Sequence, residues 1–128
     1  VYANDRSEKV RHERAKQLLI DGIIQQNIAV STQVLSEFYV TVTRKIKVKL
    51  PENTARKEIM LLGVVEIVEI DFNLVILAID ISKTNGLSYW DALIIAAAQR
   101  AKCNILYSED LNPGQTIATV TVKNPFIE

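Results

Sequence analysis

The spacing of apolar residues shifts several times along the chain, and each shift marks a predicted element. After a strand tail at Val1 to Ala3 and a loop at Asn4 to Ser7, the residues Ala15, Leu18, Leu19 and Ile23 recur at helical spacing and predict a helix from Glu8 to about Gln26. Asn27 to Val30 is a brief apolar run, and Ser31 after it suits the N-cap of a second helix running from Thr32 to about Lys45. Val34, Leu35, Phe38, Tyr39 and Val42 make the apolar face of that helix. At about 100° per residue, Glu37 falls on its margin, bordering the core.

Pro51 is placed as a first helical residue, and Ala55, Ile59 and Leu62 point inward from a short helix that Gly63 closes. Val64 to Ile70 alternates and is rich in β-formers. Asp71 or Asn73 caps a further helix to about Lys83, which Asn85-Gly86 ends with a left-handed stop. Leu87 to Asp110 is the stretch around which the rest is organised. Ser88 is an N-cap, and Asp91 follows three residues later, where a carboxylate can complete a capping box and meet the positive end of the helix dipole. Ala92 to Ala98 is apolar on every side, so this helix is predicted to be buried.

Asn104 to Tyr107 then reads as a core strand that stops at Ser108, Glu109 and Asp110. A Pro/Gly loop over Leu111 to Gln115 leads to a last strand at Ala118 to Lys123. Strands alternating with helices over short links predict an α/β fold, a mostly parallel central sheet of four to five strands with helices on both faces. Such sheets take ligands at the carboxyl ends of their strands.

With 128 residues and 48% hydrophobic content, the chain suits one compact domain over residues 1–128. Its apolar runs are too short to span a bilayer and its start lacks the apolar core of a signal peptide. The expectation is a soluble, cytoplasmic protein with no membrane role. Cys103 is the single cysteine, which excludes an internal disulfide or a cysteine zinc cluster and favours a packed thiol. The net charge of zero hides an asymmetry: residues 1–64 hold eleven Lys/Arg against seven Asp/Glu, and residues 65–128 hold four against eight. Arg44, Lys45, Lys47, Lys49, Arg56 and Lys57 concentrate the excess, as a solvated face or as a field suited to phosphate.

The segments VYAND with RHERA after it, VSTQVLSEFYVTVTRK, LSYWDALIIAAAQRAKCNILYSEDL and TVTVKNPF resemble, in order and spacing, a PIN-domain ribonuclease. The likeness is greatest to the toxin half of VapBC-type toxin-antitoxin pairs, and it covers most of the chain. It implies a metal-dependent endoribonuclease in which carboxylates gather Mg²⁺ or Mn²⁺ and the metal activates water against an RNA phosphodiester. By position, Glu37, Asp91 and Asp110 are the implied catalytic and metal-binding acids. Arg44, Lys45, Lys47 and Lys49, with Ser108, are candidates to hold the RNA. The resemblance also implies a homodimer and a cognate antitoxin protein, with Tyr39, Val40 or Trp90 as contact positions.

The family's first acid opens a motif of the form Asp-Thr-Asn-Val-Leu-Val-Tyr. This sequence begins at the Val-Tyr, as if inside its first strand, and Asp5 is a turn residue or cap and not the matching position. That departure motivates the alternative function, a non-catalytic PIN-like module that engages antitoxin or RNA without cleaving it. Each chosen residue keeps a plainer role beside the implied one: Asp91 as a capping-box acid, Glu37 as a solvent-edge helix residue, Ser108 as a strand end, Glu109 as loop charge, Trp90 as core filler. His12, the lone histidine, reads as an exposed side chain. A phosphoryl-receiver domain would need an Asp ending a middle strand and a Lys ending a later one, and no such pair stands out.

Overall fold

Helix ends in this chain are set by local hydrogen bonding, and they divide it much as the apolar spacing does. The computed structural model describes residues 9–108 and 111–125, with side chains from residue 13 onward. The strand tail at Val1 to Ala3, the loop to Ser7, Asp5, the His12 side chain, Glu109 and Asp110 lie outside them. Contacts divide the chain into two compact units, one of Val1–Ile28 with Val34–Glu66, the other of Ala29–Gln33 with Ile67–Glu128.

In the first unit, α1 (Lys9–Gln25) closes on a Schellman motif. Gln26 takes φ 55°, the Asn27 N–H donates to the Gly22 carbonyl at 3.2 Å, and the Gln26 N–H donates to that of Ile23 at 3.2 Å. Gly22 is needed there, because a Cβ would sit 2.9 Å from Cβ of Ile28. The helix expected to run from Thr32 to Lys45 stays α-helical only as α2 (Thr32–Val40), of which Thr32 and Gln33 belong to the second unit, and continues as a π-helical turn over Thr41–Lys45. The widened ring shows in the Ile46 N–H donating to the Thr41 carbonyl at 3.1 Å, and within the turn the Thr43 hydroxyl donates back to the Tyr39 carbonyl at 2.7 Å. Then α3 (Glu52–Leu62) follows Pro51, which stands at the N-cap and not inside the helix, its carbonyl accepting from the Ala55 N–H at 3.0 Å. Among the described residues, Val42 and Ala55 are the hydrophobic ones this unit buries fully.

The second unit holds β1 (Ala29–Ser31), which pairs with β2 (Glu66–Val68), then α4 (Phe72–Asn85) and α5 (Tyr89–Arg100). Asp71 caps α4 by accepting from the Leu74 N–H at 2.9 Å, and Gly86 ends it at φ 65°, as Asn85-Gly86 predicts. Helix α5 ends with Lys102 at φ 60° and the Cys103 N–H on the Ala98 carbonyl at 2.9 Å. It packs along α4 and against β1, and its buried Ala92, Leu93, Ile95, Ala96 and Ala97 are the centre of the core with Leu74, Ala78 and Ile81 of α4. The Cys103 side chain is half-buried.

The remaining strands are β3 (Ile105–Tyr107), β4 (Thr116–Ile117) and β5 (Val120–Lys123), in the order β3-β5-β4. Strand β3 runs parallel to β5, with Ile105 opposite Thr121, whereas β4 and β5 form an antiparallel hairpin. The described strands therefore make a two-stranded and a three-stranded sheet, in place of the expected mostly parallel sheet of four to five. Strands this short carry little register information, so their pairing depends on contacts distant in sequence. The strand expected from Ala118 starts two residues later, because Ala118 and Thr119 turn the hairpin at φ 50° and 72°. The core strand expected at Asn104 to Tyr107 also needs correcting. It ends the order of its sheet, and alternation leaves Ile105 and Tyr107 exposed while Leu106 packs on the core.

Candidate active site

Asp91 is the candidate acid whose surroundings are best defined. It occupies the first turn of α5, half-buried, where Ser88 caps the helix by accepting from the Asp91 N–H at 3.2 Å. The expected capping box is only half made. Among the described residues the Asp91 carboxylate takes no hydrogen bond or salt bridge, so it is not consumed by the cap. A carboxylate in that position lies in the favourable field of the helix N-terminus and retains all its acceptor capacity.

The neighbouring Trp90 is 64% exposed, its ring edge-on to that of Tyr89 with centroids 5.1 Å apart. It is therefore not core filler. Behind this turn lies a residue that the sequence reading passed over. Gln33, buried at the start of α2, donates from Nε2 to the Trp90 carbonyl at 3.3 Å. Its only sequence signal is a polar side chain set between a strand end and an apolar helix face.

Glu37 lies on α2 in the first unit and is exposed. Asp110 lies outside the described residues, and Ser108, half-buried, donates its N–H to the Lys123 carbonyl at 2.9 Å. Among the described residues no group of three or more His, Cys, Asp or Glu side chains is disposed to hold a metal ion. Glu37 and Asp91 do offer carboxylate oxygens, the donors that hard divalent cations take.

The basic residues Arg44, Lys45, Lys47 and Lys49 are all exposed, on and just after the π-helical turn of the first unit. In the same unit a cleft of about 510 Å³ is lined by Tyr39, Glu52, Asn53, Arg56, Ile59 and Met60. There the Tyr39 hydroxyl donates to Glu52 Oε2 at 2.9 Å, and this bond to a carboxylate raises the phenol's pKa, with Arg44 pulling weakly the other way. In the second unit Arg100 Nη1 donates to Asp71 Oδ2 at 2.7 Å. The Arg100 hydrogen bond first, and the Leu74 amide second, hold the Asp71 carboxyl below its usual range.

Comparison with protein families matches residues 1–116 to one family, described as the PIN domain. No curated protein matches the chain. No helix among the described residues is long and apolar enough to cross a membrane.

Proposed function

The chain belongs to the PIN domain family, and from that premise we propose that it is a metal-dependent endoribonuclease, the toxin component of a toxin-antitoxin pair. PIN domains are typically nucleases and generally use divalent metals, which supports a general nuclease role. The observation that carries the finer reading is the Asp91 carboxylate, half-buried at a helix N-terminus and not spent on its cap. Asp91, Glu37 and Asp110 would hold Mg²⁺ or Mn²⁺, with residues 1–128 acting as one PIN-like domain. When bound, such a metal supplies charge neutralisation at the phosphate and acidifies water. The chain's own part is to fix the carboxylates and to hold RNA by its backbone phosphates. Arg44, Lys45, Lys47 and Lys49 are exposed and basic enough for that. An antitoxin and a second copy of the chain are the proposed protein partners, with exposed Trp90 and Val40 as contact positions.

The test is cleavage of a structured RNA with Mn²⁺ or with EDTA, by the chain as it stands and by the chain extended with Asp-Thr-Asn-Val-Leu before Val1. The extended protein is expected to cut only with metal, and Asp91→Asn is expected to reduce the rate at least 100-fold, in line with the loss of a direct metal ligand. RNA bound but never cut by the extended wild type rejects the nuclease reading and leaves the non-catalytic module.

A further inference from the structure

Gln33 is a polar side chain in an apolar place. It is the second residue of α2, 7% exposed, and its Nε2 donates to the Trp90 carbonyl while its Oε1 is buried with no hydrogen-bond partner among the described residues. Turning the amide over would set Oε1 against another carbonyl oxygen, so the chemistry fixes its orientation. The acceptor left over is expensive. A buried amide oxygen without a donor costs folding more than one long hydrogen bond from the other end returns. Methionine would fill the same space without that penalty, so packing alone favours an apolar residue here.

What Gln33 does secure is one point on α5. Trp90 immediately precedes Asp91, and its carbonyl is the acceptor for the Ile94 amide in the first turn of the helix. We propose that Gln33 is a positioning residue: it pins the Trp90 carbonyl and so fixes the turn from which the Asp91 carboxylate projects, at a cost in stability. The inference rests on the reading of Asp91 as a metal-binding acid and extends it to the residue that orients that acid. Groups that steer a ligand without touching the metal commonly change affinity 10- to 100-fold when removed.

The test compares Gln33→Met with Ser88→Ala in the full chain, by thermal unfolding, amide exchange without metal, and Mn²⁺ titration against an Asp91→Asn control. Gln33→Met is expected to melt at or above the wild-type temperature, by up to about 5 °C. Its Ile94 amide is expected to exchange about 10-fold faster, and Mn²⁺ to bind about 10-fold more weakly. Ser88→Ala, which removes only a cap, is expected to lower the melting temperature. A Gln33→Met protein that melts lower, with Ile94 exchange and Mn²⁺ affinity as in wild type, makes Gln33 a packing residue and overturns the proposal. Equal Mn²⁺ uptake by wild type and Asp91→Asn defeats the metal reading of Asp91 itself. Exchange and melting then decide: faster Ile94 exchange with no loss of melting temperature sustains the positioning role, and unchanged exchange ends it.

Discussion

The two units differ in what holds them together and in what they display. The second contains the whole of the buried core cluster, from Val68 to Val122, and the first fully buries only Val42 and Ala55 among its described hydrophobic residues. Their charges are opposed as well: the first holds eleven Lys/Arg against eight Asp/Glu, the second four against seven. One unit is a packed scaffold that carries Asp91, and the other is a thinly cored surface that carries the cations. On the proposed reading, that division sets Asp91 on the packed unit and Glu37, with the phosphate-holding cations, on the other. Mutations should therefore separate along it, stability being lost in the second unit and RNA affinity in the first.

The largest effect expected is on the core. Leu93 is 2% exposed at the centre of α5, and Leu93→Ala is expected to cost about 2–5 kcal/mol, read as a fall in urea midpoint. Leu61→Ala, at an exposed position of α3 in the first unit, should stay within about 0.5 kcal/mol. Equal losses at the two positions would break the contrast between scaffold and surface.

That contrast was only partly legible in the sequence. Helix α5 was readable because its signals are local: Ser88 as cap, an uninterrupted apolar run, and Gly86 stopping the helix before it. The π-helical turn was not, since the apolar spacing of Val34 to Val42 does not distinguish a single widened turn from a continuing α-helix. Two sheets in place of one, and an Ala118-Thr119 turn without glycine, arise from pairings that short strands do not announce. Asp91 and Glu37 were found by resemblance to a family, a signal that names positions but not their surroundings. Gln33 escaped because its partner lies 57 residues away.

Next in size is the effect of charge. Replacing Arg44, Lys45, Lys47 and Lys49 together by Gln is expected to weaken RNA binding about 10- to 100-fold at low salt while leaving the melting temperature nearly unchanged, because all four side chains are exposed. The slope of log K against log salt should become shallower by up to about 0.7 per lost phosphate contact. An unchanged slope would return the run to an ordinary solvated face.

A smaller gain should come from the β4–β5 hairpin. A β-branched residue is strained at positive φ, and a two-residue turn of this hand prefers Asn-Gly. Ala118→Asn with Thr119→Gly should stabilise the second unit by about 1 kcal/mol, measured in urea, with the Thr116 to Thr121 register retained. A loss of stability would mean that the side chains at 118 and 119 hold the turn by packing.

The smallest effect lies at the solvent edge of the same unit, where Asp71 caps α4 and pairs with Arg100. Its carboxyl is held below the usual carboxylate range, chiefly by the Arg100 hydrogen bond and then by the Leu74 amide. The folded state thus favours the ionised form, and the stability this contributes is present above the unfolded pKa and lost as pH falls through the lowered folded one. Melting temperatures taken from about pH 6 down to about pH 2 should show wild type losing more than Asp71→Asn over the acid limb, and the two curves should converge at the acid end. Exposure of the pair to solvent keeps the difference small, and raised salt should shrink it further. Parallel curves would mean that the Leu74 cap alone, which Asn also supplies, accounts for the contribution of Asp71, and that the scaffold unit owes nothing to this ion pair.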